Sequence, residues 1–209
     1  MNMTNHNEMT LPNYIINSLK GAWKIVQFSP KAMDYIDVSS EGFWKSFWAI
    51  ALIIPVFLFT LTSSGNTEVP QPYLSSTIYL ITALPLTAVV MYYFTRFMKI
   101  SENYIPMIIA YNWLNALSFN IIVVTGLILD MVISGSQSTL FIQALMQFYF
   151  GALVTWFMYK ISLKIGGFLA FGVLIFEILF NRVYQVLLMK FFDPQAFAAI
   201  TEAVSNPPA

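Results

Sequence analysis

Glu177, Asn181 and Gln185 stand four residues apart in a predominantly apolar stretch, residues 168–192. On a helix that spacing stacks them on one face, a turn apart. A carboxyl group among amides in such a segment has two uses. One is as a proton or cation site. The other is as a hydrogen-bonded tie between helices, because an ionisable group at membrane depth is costly without a partner. Arg182 follows Glu177 by five residues, about 140° away around a helix, which orients it poorly toward the acid. It is expected to snorkel outward or to pair with another helix. Two more polar sets lie in apolar runs. Asn112 and Asn115 share a face around Trp113, with Asn120 beyond them. Gln143, Gln147, Gly151 and Thr155 follow strict four-residue spacing, a stripe that reads as helix–helix contact more than as a ligand path.

Most other site chemistry is excluded by residue type. The chain has no cysteine, and its one histidine, His6, sits in the polar stretch 1–10. That removes thiolate chemistry, Cys or His metal sites and His-dependent triads. Neither a paired-carboxylate signature, a nucleophile elbow nor a phosphate-cradling glycine loop occurs. No cofactor, no metal and no enzymatic activity are expected. Zero net charge gives nothing to attract nucleic acid.

The elements that position these residues are legible from composition. Of the 209 residues 58% are hydrophobic and only 10% charged, against about 25% charged in soluble domains; so little charge leaves much of the surface to lipid. Five apolar runs, residues 43–61, 74–95, 104–133, 140–159 and 168–192, are each long enough to cross a hydrocarbon core of about 30 Å. The third must tilt, extend past the bilayer or break near Asn115–Asn120. Pro55 and Pro85 are expected to kink the first and second. The first run begins at Phe43, too far along for a signal peptide, so the N-terminus is expected to stay attached.

Eight of the ten basic residues (Lys20, Lys24, Lys31, Lys45, Arg96, Lys99, Lys160 and Lys164) fall on one side of these runs. The segments 62–73 and 134–139 contain none. Basic residues are retained in the cytoplasm, which puts the N-terminus inside and, after five spans, the C-terminus outside. Trp44, Trp48, Tyr92 and Tyr93 sit where interfacial rings are expected.

Before the first run, residues 12–28 have helical periodicity. Ile15, Leu19, Ala22, Trp23 and Val26 share one face, and Lys20 and Lys24 the other. A basic amphipathic helix with Trp23 on its apolar face reads as lying on an anionic leaflet through Lys20 and Lys24; the alternative is packing on the ends of the spans. Thr10 and Pro12 suit its start, and Ser29-Pro30 its end. Ser39 followed by Glu41 suits the start of the first span. Gly166-Gly167 reads as a turn, and residues 193–209 as a short helix and tail.

The reading is an all-α polytopic membrane bundle of five transmembrane helices with an N-terminal amphipathic interfacial helix. A cytoplasmic region covers residues 1–42, the bundle 43–192 and an exoplasmic tail 193–209. The turn Ile100-Ser101-Glu102-Asn103, then Tyr104 and the small-residue–tyrosine step Ala110-Tyr111, together with this topology, resemble the Yip (Ypt-interacting protein) family. The turn lacks that family's usual glycine, and no proline follows Tyr111. The resemblance implies a non-enzymatic protein that binds partners or organises membranes, and the short N-terminus implies a bacterial relative in the cytoplasmic membrane. Expected partners are the lipid bilayer, other membrane or cytoplasmic proteins and further copies of the chain. The alternative function is a small transporter or channel subunit using Glu177, Asn181, Arg182, Asn112, Asn115 and Gln147.

Overall fold

A computed structural model describes residues 10–63, 70–133 and 137–205. His6, Glu68 and the last four residues lie outside them. No strand occurs among the described residues. Five helices, Ser40–Thr62, Tyr73–Phe97, Ser101–Val132, Thr139–Leu163 and Gly167–Phe192, are long and apolar enough to cross a membrane. At roughly 1.5 Å per residue a 25-residue helix is about 38 Å long, more than a hydrocarbon core needs. Their flanks present Leu58, Phe59, Ile81, Ile128, Leu140 and Leu179 outward. Exposed apolar surface of this extent is solvated by lipid, not water. The chain is an integral membrane protein, an all-helical bundle as expected.

Successive spans run in opposite directions, so the bundle has an N-face, where the first begins, and a C-face, where the fifth ends. A helix ahead of the spans, α1 (Leu11–Val26), packs on the N-face. Its buried stripe is Tyr14, Ser18, Gly21 and Ile25, flanked by Ala22 and Val26. Of the expected apolar face, Ala22 and Val26 are buried and Ile15 and Leu19 pack against the core, and only Trp23 is corrected. Trp23 is 48% exposed, on the outer side with Ile16 and Lys20. Counting apolar residues missed the stripe because two of its members are small rather than hydrophobic. Gly21 lets the chain fold back closely: a Cβ there would meet Ile36 Cγ1 at 2.9 Å. Pro12 lies in the first turn of α1, but the Thr10 side chain makes no capping bond.

The Tyr14 hydroxyl fixes α1 to the bundle. It donates to Gly42 O at 2.7 Å and accepts from Trp113 Nε1 at 3.2 Å. Burial pushes its pKa above the ordinary tyrosine value, with the Trp113 bond acting in the opposite direction. Gly42 is required in the turn that opens the span, since a Cβ there would clash with the backbone oxygen of Asp37. Ser39 caps the first span as expected, accepting from Gly42 N at 3.0 Å. Glu41 in that turn pairs with Lys45.

The first span is two helical pieces, Ser40–Ser46 and Ala49–Ser63, joined by a tighter turn in which Ala51 N donates to Trp48 O. The third runs unbroken from Tyr104 to Ile133. Asn120 Nδ2 serves its own helix and its neighbour, donating to Ala116 O and Leu52 O. The span's excess length lies at the N-face, where Met107 to Leu114 are all buried and α1 covers them. Helix continues through both Pro55 and Pro85. At the C-face Asp193 Oδ2 accepts from Ser75 N at 2.6 Å, so the residue ending span five caps span two. The expected C-terminal helix is Pro194–Ser205, and Lys164, in the left-handed region, ends span four before the Gly166-Gly167 turn.

Candidate functional site

Glu177 sits midway along the fifth span. Its Oε1 accepts from Tyr111 Oη of span three at 3.0 Å and from Asn181 Nδ2 one turn further on. Asn181 Oδ1 in turn accepts from Tyr79 Oη of span two at 3.1 Å. Three spans thus converge on one carboxyl through a tyrosine–amide–acid chain. Both described bonds to the carboxyl fall on Oε1, where it is the acceptor each time. Any proton or cation held by the group belongs at Oε2.

The carboxyl faces a cavity of about 590 Å³ whose walls include Tyr79, Tyr111, Asn115, Gln147, Asn181 and Gln185. A second, more apolar chamber of about 430 Å³ shares Tyr79, Tyr111, Asn115 and Gln185 with it. These wall residues come from the C-face half of spans two and five, the N-face half of span three and the middle of span four, so the cavity lies at mid-bundle. Toward the N-face it is closed. The Tyr111 ring stacks on Tyr159, centroids 6.4 Å apart, and Tyr159 is fully buried.

Glu177, Asn181, Arg182, Asn115 and Gln147 all line this one cavity. Asn112 does not. It is buried and donates to Ser46 Oγ at 2.8 Å, tying span three to span one. The 60° between Asn112 and Asn115 on an ideal helix, roughly three residues of rotation, is enough to send them to different neighbours. Arg182 borders the cavity but is exposed, consistent with a side chain reaching outward. Its Nη1 donates to Gln185 Oε1 at 3.3 Å on its own helix.

The stripe on span four also departs from expectation. Tyr149–Val154 forms a π-helical segment, in which Thr155 Oγ1 reaches back to Phe150 O. The extra residue in that turn breaks four-residue phasing. A Cβ on Gly151 would meet nothing within 4 Å, whereas one on Gly126 would meet Gln143 Nε2 at 2.7 Å. The close helix approach is therefore at Gly126–Gln143. Gln147, Gly151 and Thr155 instead border open space. Inserted turns of this kind are frequent at functional sites.

Sequence reasoning missed Tyr79 and Tyr111. The signal was present: a phenol at mid-span must find a partner for its hydroxyl, and a lone acid in the next apolar run is the obvious acceptor. Tyr184, whose hydroxyl meets Thr82 Oγ1 at 2.5 Å, extends the contact between spans two and five. Against known proteins, no family model, curated protein or solved structure matches this chain.

Proposed function

We propose that this chain is a non-enzymatic membrane protein that takes a small polar solute or ion into the crevice beside Glu177, as a small transporter or a subunit of one. The observation that carries the reading is the carboxyl itself, held on one oxygen by Tyr111 and Asn181 and bordering a cavity with the other candidate amides. A carboxyl kept only as a tie between helices would be enclosed by its partners. Intramembrane acids that line cavities mark ion and solute paths. The basic residues support a cytoplasmic N-face, and because the Tyr111–Tyr159 stack lies on that side we assign the crevice an opening away from the cytoplasm, in a bacterial cytoplasmic membrane.

A second reading has its own observation. The outer side of α1 carries Ile16, Lys20 and Trp23 exposed together, a surface suited to anionic lipid or a cytoplasmic partner. It accords with the partner-binding, membrane-organising role implied by the likeness to the Yip family.

Thiol accessibility tests the first reading. With no native cysteine, Asn115→Cys and Gln185→Cys each give a single target. In proteoliposomes a charged, membrane-impermeant maleimide added on the C-face side should label both. Labelling of neither, with a thiol placed at the exposed Asp130 labelled normally, would overturn it.

A further inference from the structure

Resting on that reading, we infer that the solute is a small organic cation with an apolar body, its ammonium group seated between Glu177 and Asn115 and its hydrocarbon in the adjoining chamber. Two acceptors are left over at the polar end. Glu177 Oε1 carries both described bonds, which leaves Oε2. Asn115 spends its Nδ2 on Tyr111 O at 2.9 Å, which leaves Oδ1. An ammonium is a donor only and needs acceptors. A charge-assisted bond to a carboxylate in surroundings of low dielectric constant is among the stronger ones available to it.

The apolar body is specified by the second chamber. Ile53, Phe57, Leu80, Leu84, Phe119 and Met189 line it. It meets the polar cavity at Asn115, so a ligand held at Asn115 and Glu177 has hydrocarbon walls within reach. About 430 Å³ accommodates a single aromatic ring. A bare metal ion would leave this chamber unused, and a neutral sugar would bury its hydroxyls there unpaired.

An anion is the competing class, because Arg182 also borders the polar cavity. The guanidinium is already bonded to Gln185 Oε1 and exposed, so it can satisfy its charge at the surface. Glu177, deeper and bordered by the phenols of Tyr79 and Tyr111, has no cationic partner among the described residues.

Three probes of one shape separate the classes: phenethylamine, 2-phenylethanol and phenylacetate. Binding is measured by titration calorimetry on the full chain in nanodiscs of neutral lipid, with empty nanodiscs subtracted. Phenethylamine should bind roughly tenfold or more tightly than the alcohol, and phenylacetate least. Glu177→Gln should reduce amine binding to the level of the alcohol, with thermal unfolding confirming that the variant is folded. Asn115→Leu should weaken the amine severalfold. Equal binding of amine and alcohol, or an amine preference that persists in Glu177→Gln, overturns the inference. Preference for phenylacetate overturns it in favour of Arg182, while the accessible crevice stands. Absence of binding by all three probes, with Asn115→Cys still labelled from the C-face, rejects this solute class and leaves the crevice reading intact.

Discussion

Tyr14→Phe removes one oxygen and strands two buried groups. In the folded chain that oxygen donates to Gly42 O and accepts from Trp113 Nε1, while Tyr14 is 1% and Trp113 0% exposed. A net contribution of about 1 kcal/mol per hydrogen bond gives about 2 kcal/mol for the pair. The ring remains, and so does its edge-on contact with Trp113 at 5.7 Å, so the loss is confined to the hydroxyl. Because the bonds join α1 to spans one and three, the change acts on docking of α1. A penalty of about 2 kcal/mol raises the undocked population roughly thirtyfold. Limited trypsin digestion reads this directly, since Lys20 and Lys24 lie on α1. Cleavage there should accelerate by a similar factor, and the unfolding midpoint should fall by about 4–8 °C. Cleavage at the wild-type rate with an unchanged midpoint would refute the claim that this hydroxyl anchors α1.

Further outcomes follow from other contacts. Gly42→Ala should destabilise more than Tyr14→Phe, because its Cβ would clash with the Asp37 backbone oxygen; thermal unfolding of the two variants side by side checks the order. Asp193→Ala removes the cap on Ser75 N and should cost about 1 kcal/mol, read as a lowered unfolding midpoint that Asp193→Asn partly restores. A reporter fused after residue 209 should be active only outside the cytoplasm, and cytoplasmic activity would reverse the assigned orientation. Lys20→Glu with Lys24→Glu should reduce quenching of Trp23 fluorescence by brominated anionic lipid, taken as the difference from a Trp23→Phe control; unchanged quenching would reject lipid contact by α1.

The five spans were legible because lipid solvation leaves a compositional record: long apolar runs, with charge confined to the joints. Glu177 and its helical neighbours Asn181 and Gln185 were legible for the same reason, since a polar residue in such a run stands out. Three-dimensional pairing was not. Helical spacing ties Asn181 to Glu177, but the partners Tyr111 and Tyr79 come from other spans, and tyrosine passes as a packing residue until its hydroxyl is placed. Asn112 and Asn115 read as one set and serve two interfaces, because packing of neighbouring spans decides where each amide goes. The stripe from Gln143 to Thr155 assumed regular α-helix, and nothing in residue type announces the π-helical turn Tyr149–Val154. On α1 the buried stripe includes Ser18 and Gly21, chosen for closeness of approach, which a hydrophobicity pattern does not register.

The most direct test of the central claim is chemical modification of Glu177 itself. Reaction with a water-soluble carbodiimide and a small amine nucleophile, located by mass spectrometry, reports whether water-borne reagent reaches the carboxyl; exposed Glu102 and Asp130 serve as references. Modification of Glu177 by the water-soluble reagent is the expected result. Modification of both references with Glu177 untouched, or reaction of Glu177 only with a membrane-soluble carbodiimide, would contradict a water-filled crevice at this residue.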